Sequence, residues 1–141
     1  MSQENVEVVK RSFGFWRDGR VGEWIETLDA DIEWDISAHP LPDFPDRGGG
    51  RDAFIGHMAA YSSGWTDYEA SSEETIDRGD DVVMILHERA RMPGSDVTLD
   101  RDLPIVWTVR GGRCVRLRVF QTRAEALEAV GLAEPPPKNA S

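Results

Sequence analysis

The chain has 141 residues, 40% of them hydrophobic, with five tryptophans and a formal net charge of −10. This composition is typical of a single globular domain with a sizeable core, and it excludes an intrinsically disordered chain. The excess of acidic residues argues against nonspecific binding of nucleic acids and against docking on anionic membranes, because both need a cationic surface.

The first part of the chain is predicted to form two helices and a strand. An apolar stripe at helical spacing predicts a helix over about residues 3–17, formed by Val6, Val9, Phe13 and Trp16. A second, short helix is expected to carry Val21, Trp24, Ile25 and Leu28 on one face. Residues 31–37 alternate strictly between polar and apolar side chains, which predicts a half-buried strand with Ile32, Trp34 and Ile36 on its inner face.

A loop and a third helix are expected next. Residues 38–50 are rich in proline and end in three consecutive glycines, so we expect a loop that covers an opening. The third helix is predicted over about residues 51–63, with Phe54, Ile55, Met58 and Tyr61 facing inward.

The second half of the chain is predicted to be a β-meander. Strands are expected over residues 67–77, 82–92, 97–109 and 113–121, separated by turn signals at 78–81, at 93–96 and at the Gly111–Gly112 pair. Thr122 and Glu125 have the spacing of a capping box, which predicts a short helix that stops near Gly131. The predicted fold class is α+β, with N-terminal helices packed on a curved antiparallel sheet and a short C-terminal helix. We expect a single domain over residues 1–133 and a disordered, proline-rich tail over 134–141.

Several of these segments together carry a family resemblance. They are NVEVV (5–9), DG (18–19), DADIEW (29–34), RG (47–48), RDAF (51–54), DRGDDVV (77–83), WTVRGGR (107–113) and RAEALEAVGL (123–132). In this order and spacing, the chain resembles the SnoaL-like branch of the nuclear transport factor 2-like superfamily over nearly its full length. The resemblance implies a cone-shaped fold with an internal cavity, often in a homodimer packed through the sheet. Members include ketosteroid isomerases, polyketide cyclases, epoxide hydrolases, dehydratases and binding proteins, so the fold does not settle the function.

The positions at which such relatives carry catalytic groups hold other residues here. The base at the end of the first strand matches Ile36, and the acid on the penultimate strand matches Ile105. The tyrosine of the first helix in the isomerases matches Ser12, and the acid on the last strand matches Val119. Epoxide hydrolase relatives use two aspartates and an arginine, and residues 100–102 (DRD) supply those residue types without the family's spacing.

A few polar residues are left as candidates. His39 follows the first strand and is the candidate general base, with Asp35 or Asp43 as its orienting partner; an exposed loop histidine is the simpler interpretation. His87, Arg89 and Arg91 share a strand face that either binds a carboxylate or enolate or forms ion pairs with Asp100 and Asp102. The predicted ligand pocket consists of Trp16, Trp34, Ile36, Met58, Tyr61, Arg89, Arg101, Ile105, Trp107 and Phe120.

The leading functional hypothesis is a protein with an apolar pocket that binds a hydrophobic small molecule, without necessarily catalysing a reaction. A cofactor-independent isomerase, cyclase, hydratase or hydrolase is the second hypothesis, and a module that binds proteins through its sheet is the third. No nucleotide motif and no metal-ligand cluster is visible, so neither a cofactor nor a metal is expected. One cysteine, Cys114, and the lack of a signal-peptide pattern or a long apolar run predict a cytoplasmic protein.

Overall fold

A computed structural model of the protein describes residues 2–39 and 45–132. Its elements are α1 (Ser2–Arg17), α2 (Val21–Glu26), β1 (Leu28–Asp35), β2 (Arg47–Gly49), α3 (Arg51–Ser63), β3 (Thr66–Arg78), β4 (Asp81–Arg91), β5 (Thr98–Arg110), β6 (Arg113–Val119) and α4 (Arg123–Ala129). The α+β class is therefore confirmed, and the bounds of the last four strands differ by at most two residues from the predicted ones. The predicted tail over 134–141 lies outside the described residues.

The strands form one curved sheet in the order β2-β1-β6-β5-β4-β3. Strands β3 to β6 make the predicted antiparallel meander, whereas β1 pairs with β6 in parallel. The sheet is therefore mixed and not purely antiparallel. The parallel pair arises because the chain leaves β1, crosses through α3 and the meander, and returns beside β1 in the same direction.

The short helix α2 departs from its predicted pattern. Trp24 is buried as expected, but Val21 at the start of the helix is 52% exposed. Leu28, predicted on the same helical face, is instead the first residue of β1 and is fully buried. The helix ends at Glu26, where Thr27 caps it by donating its hydroxyl to the Trp24 carbonyl.

Strand alternation divides the interior into two apolar clusters, one on each face of the sheet. The concave face packs against α1 and α3 through a large cluster that includes Val9, Phe54 and Trp107. The opposite face is covered by α4, whose Leu127 packs near Val106 in the smaller cluster. The concave side therefore carries most of the core.

The strand β2 lies within the segment predicted to be a loop. Its residues pair with the end of β1, placing Gly48 opposite Trp34. A side chain at Gly48 would collide with the Trp34 indole ring, so glycine lets the β2 backbone lie directly against that ring. This contact fixes the Trp34 side chain in the wall of the concave face.

The closing hairpin and the last helix form as the sequence predicts. Gly111 and Gly112 both adopt positive φ, the backbone geometry of a tight two-residue turn. At the start of α4, the Thr122 hydroxyl accepts a hydrogen bond from the Glu125 amide at 3.1 Å. None of the helices in the described part of the chain combines the length and apolarity that a membrane crossing requires.

Candidate functional site

A cavity of about 130 Å³ lies between the concave face of the sheet and the helices α1, α2 and α3. Its lining comprises Ser12, Phe13 and Trp16 of α1, Trp24 of α2, Phe54, His57, Met58 and Tyr61 of α3, Trp34, Ile36 and His39 at β1, and Tyr68, Met84, Leu86, Glu88, Arg101, Leu103, Ile105, Trp107, Leu117 and Val119 of the meander. Most of these side chains are apolar or aromatic. The polar ones therefore define where a ligand can be oriented.

The register of the meander arranges the cavity wall in rows. Glu88 pairs with Arg101, Leu86 with Leu103, and Met84 with Ile105 across β4 and β5. Because alternate residues share a face, these three rows lie on the concave side in that order. A charged row thus closes one end of a wall that is otherwise hydrocarbon.

The charged row belongs to a cluster of four side chains, which we call the Glu88 cluster: Tyr61, Tyr68, Glu88 and Arg101. The Glu88 carboxylate is buried and accepts hydrogen bonds from Tyr68 at 2.6 Å and from Tyr61 at 2.9 Å. Arg101 donates from Nε to Glu88 at 3.1 Å and from an Nη to the Tyr61 hydroxyl oxygen at 3.0 Å. Three donors therefore converge on one carboxylate, the arrangement that a buried charge requires.

The cluster keeps its tyrosines protonated. Burial, reinforced by the Glu88 charge, raises the pKa of Tyr61 to about 12. The same two causes raise the pKa of Tyr68 further. Arg101 holds its proton more firmly than usual, because its neighbours in the cluster raise its pKa against the opposing effect of burial. At neutral pH the two phenols are therefore neutral and the Arg101 guanidinium is charged.

Most of the residues predicted for the pocket lie in its wall. Those that do are Trp16, Trp34, Ile36, Met58, Tyr61, Arg101, Ile105 and Trp107. The two others point away from the cavity, because successive residues of a strand face opposite sides of the sheet. Arg89 follows the inward Glu88 and is 66% exposed beside Asp100, while Phe120 follows the inward Val119 and packs on the opposite face with the cluster under α4.

The predicted pair of His39 and Asp35 is not formed. The His39 side chain lines the cavity, but its Nε2 lies 3.2 Å from the backbone carbonyl of Phe120. Asp35 points away from the cavity and pairs with Arg47 at 3.0 Å, and hydrogen bonds from Ser37 and Arg47 lower the pKa of its carboxyl despite partial burial. Asp43, the other proposed partner, lies outside the described residues.

The four positions matched to catalytic groups of relatives all reach the cavity. Ile36, Ile105 and Val119 contribute hydrocarbon to its wall. Ser12 is buried and hydrogen-bonded to Thr27 at 2.7 Å, so its hydroxyl is already engaged. Cys114, beside Ser12, is fully buried in β6, and burial raises the pKa of its thiol to about 12, as expected for a packing residue and not for a nucleophile.

Sequence reasoning missed Glu88 and Tyr68. Two signals in the sequence point to Glu88: it continues the inward face set by Met84 and Leu86, and the turn at 93–96 pairs it with Arg101. No comparable signal marks Tyr68, because its position depends on how β3 curls over α1. Among the described residues no group of histidine, cysteine and carboxylate side chains could hold a metal ion.

The face with His87 and Arg89 forms ion pairs with the neighbouring strand. The two ring nitrogens of His87 lie 2.9 Å from Asp100 and 2.8 Å from Asp102. These partners raise the pKa of His87, with the Asp102 hydrogen bond as the main cause. The face is therefore a salt-bridged outer surface and lies away from the cavity.

The outer ion pairs predict a specific titration behaviour. Since the folded pKa of His87 exceeds its ordinary value of 6.5, the ion pairs contribute to stability at low pH. That contribution fades as the pH rises through the folded pKa. We expect an NMR titration to place the His87 pKa above 6.5, and the Asp102→Asn variant to lower it. The exposed Asp96→Asn variant should leave it unchanged, and an equal response in both variants would contradict the assignment.

Comparison with known proteins places the chain in a family. The model of the SnoaL-like domain matches residues 9–117. The chain belongs to the SnoaL-like domain family. No curated protein is similar enough in sequence to count as a match.

Solved structures share the SnoaL-like fold at low sequence identity. Bal32a from a soil-derived mobile gene cassette has a TM-score of 0.73 and 21% identity, with 84% of this chain and 88% of that chain covered. TerC, co-crystallised with polyporic acid, has a TM-score of 0.70 and 19% identity, with 90% and 98% covered. A proposed SnoaL-like polyketide cyclase from Jannaschia sp. CCS1 has a TM-score of 0.69 and 22% identity, with 96% and 95% covered. At these identities the likeness establishes the fold.

Proposed function

We propose that this SnoaL-like protein binds a compact, mainly apolar small molecule inside its cone. The observation that carries the proposal is the cavity of about 130 Å³, walled by aromatic and aliphatic side chains. An apolar cavity of roughly 150 Å³ in a protein core is large enough to bind benzene. The space therefore suits a ligand of one ring with small substituents. TerC, a structural neighbour, was crystallised with a small molecule, polyporic acid, which is consistent with this use of the fold.

A cofactor-free enzyme, the second hypothesis, has weaker support. Catalysis by proton transfer needs a base that is free to reach the substrate. Among the described residues, the buried Glu88 carboxylate is already held by three donors, and His39 contacts a backbone carbonyl. Hydrocarbon occupies the positions at which catalytic relatives carry acids. These features favour binding without catalysis by His39 and Asp35.

A protein-interaction module, the third hypothesis, would be expected to have a filled cone and a broad apolar sheet face. Instead, the cone contains a cavity, and α4 with its C-cap residue covers apolar residues of the outer face through Ala126, Leu127 and Val130. Both features favour a small-molecule ligand. Homodimerisation through the sheet and a cytoplasmic location remain predictions.

Filling the cavity should strongly weaken ligand binding. Val119 lies in the wall, so we expect the Val119→Phe variant to place its ring in the ligand space and weaken the binding of toluene, measured by isothermal titration calorimetry, about tenfold or more. Val97 is 58% exposed in a turn, and Val97→Phe provides the same chemical change outside the cavity. Near-UV circular dichroism establishes that both variants fold. Equal toluene affinity in the two variants, or no binding to the wild type, would refute the proposal.

A further inference from the structure

We propose that Arg101 is the specificity-determining residue of the cavity, and that it donates a hydrogen bond to the carbonyl oxygen of a compact, uncharged aromatic or alicyclic ligand. This inference rests on the proposed binding function and adds the chemical class of the ligand. It places the polar end of the ligand at the Glu88 cluster and the hydrocarbon part against the apolar rows.

The guanidinium of Arg101 has donors left over for a ligand. It lines the cavity, and its side chain is 30% exposed, whereas that of Glu88 is 1% exposed. Within residues 2–39 and 45–132, its hydrogen-bond partners are Glu88 through Nε and Tyr61 through one Nη. A guanidinium carries five N–H donors, so most of them remain for another acceptor. A carbonyl oxygen of a ligand in the cavity could accept a hydrogen bond from these donors.

Glu88, Tyr61 and Tyr68 act on the ligand through Arg101 and are positioning residues. The Nε bond to Glu88 and the Nη bond to Tyr61 fix the plane of the guanidinium from one side. Tyr68 and Tyr61 both donate hydrogen bonds to the same carboxylate oxygen of Glu88, which fixes the position of the Glu88 side chain. Because the Arg101 side chain is already fixed before the ligand binds, it loses little conformational entropy on binding.

The charges in the wall favour an uncharged ligand. The fixed charges among the described lining residues are the Glu88 carboxylate and the Arg101 guanidinium, which neutralise each other. An anionic ligand would bring a second negative charge close to the buried Glu88 carboxylate, and like charges in a region of low dielectric repel strongly. A carbonyl group adds no net charge and still accepts a strong hydrogen bond from a cation.

The rest of the wall is also rich in donors. Trp34 and Trp107 line the cavity, and their buried indole N–H groups have no hydrogen-bond partner in the described part of the chain. Buried tryptophans normally satisfy this group. A ligand that supplies acceptor oxygens therefore matches the cavity better than one that supplies donors.

Three probes of the same shape test the inference: acetophenone, α-methylstyrene, in which a methylene group replaces the carbonyl oxygen, and the benzoate anion. NMR titration of the isotope-labelled protein gives each dissociation constant. We expect Arg101→Met to weaken acetophenone binding about tenfold or more, the usual effect of losing a charge-assisted hydrogen bond, and to leave α-methylstyrene binding nearly unchanged. We also expect wild-type protein to bind benzoate more weakly than acetophenone.

Two further variants keep the result interpretable. The double variant Glu88→Gln with Arg101→Met removes the donor without leaving a buried unpaired carboxylate, and it should show the same selective loss. Arg89→Met makes the same change on the exposed outer face and should alter none of the three affinities. If α-methylstyrene binds but the Arg101 variants weaken it as much as acetophenone, or if benzoate binds tightest, the inference is wrong and the cavity proposal stands. If no probe binds to the wild type, both fail.

Discussion

Replacing Glu88 with alanine is expected to destabilise the fold by about 3–5 kcal/mol, the usual result of removing one partner from a buried ion pair. Glu88 is fully buried and carries hydrogen bonds from Tyr61, Tyr68 and Arg101. Alanine would leave the hydroxyl groups of two partly buried tyrosines and a partly buried guanidinium without their acceptor, and it would also create a cavity. The loss comes mainly from these abandoned groups, since a well-formed buried ion pair stabilises a fold only modestly.

Urea denaturation measures this loss as a fall in the midpoint at an unchanged slope. Two variants serve as controls. Glu88→Gln keeps the shape and an acceptor oxygen, so its loss should be clearly smaller. Glu69→Ala removes an exposed carboxylate from β3 and should change the free energy of unfolding by less than about 0.5 kcal/mol. If Glu88→Ala resembles Glu69→Ala, the cluster makes no energetic contribution to the fold.

The sequence predicted the helices and the meander well because both follow from local patterns. The apolar stripe of α1, the strict alternation before Asp35 and the glycine pair at 111–112 each specify their element within a few residues. The parallel pairing of β1 with β6 could not be predicted, because it joins segments that are far apart in the chain and have no turn to set their register. The strand β2 was missed because its pairing depends on the contact of Gly48 with the Trp34 indole.

The residues of the candidate site were also predicted in part only. Eight of the predicted pocket residues lie in the wall, because strand alternation or the apolar stripe of a helix fixes the direction of each side chain. Arg89 and Phe120 were assigned to the wrong face of their strands. Glu88 was within reach of sequence reasoning: the predicted strands over 82–92 and 97–109, folded about the turn at 93–96, already pair Glu88 with Arg101, as observed.

The site therefore combines two properties that a single alternating pattern supplies. Rows of hydrocarbon on β4 and β5 form an apolar wall, and the row of Glu88 and Arg101 adds a fixed donor at the end of that wall. An isolated charge at the end of this wall would be costly to bury. The Glu88 carboxylate, the Arg101 guanidinium and the two tyrosines therefore form one hydrogen-bonded cluster. This arrangement supports the proposed binding of a ligand more than catalysis of a reaction.

Replacing Phe54 with alanine is expected to cost about 3–5 kcal/mol of stability, as for other fully buried phenylalanines. Phe54 is 2% exposed and lies at the junction of helix α3, the cavity and the core. Its ring centroid lies 6.2 Å from those of Trp24 and Trp34 and 6.3 Å from that of Trp107. The truncation would remove the ring that the three indole groups share as a packing partner. Because the surrounding strands are paired in one sheet, we expect them not to move into the space that the ring leaves.

The free energy of unfolding from urea titration, with the slope compared between variants, measures this effect. Phe15→Ala makes the same truncation on α1, where the ring is only partly buried, and should cost clearly less. The Phe54→Ala variant also enlarges the ligand space, so it should accept a two-ring hydrocarbon such as naphthalene better than the wild type does. A loss of stability below about 1 kcal/mol would mean that the core collapses around position 54, and in that case no gain in naphthalene affinity should follow. The joint outcome therefore distinguishes a rigid cavity, whose size selects the ligand, from one that adjusts to whatever binds.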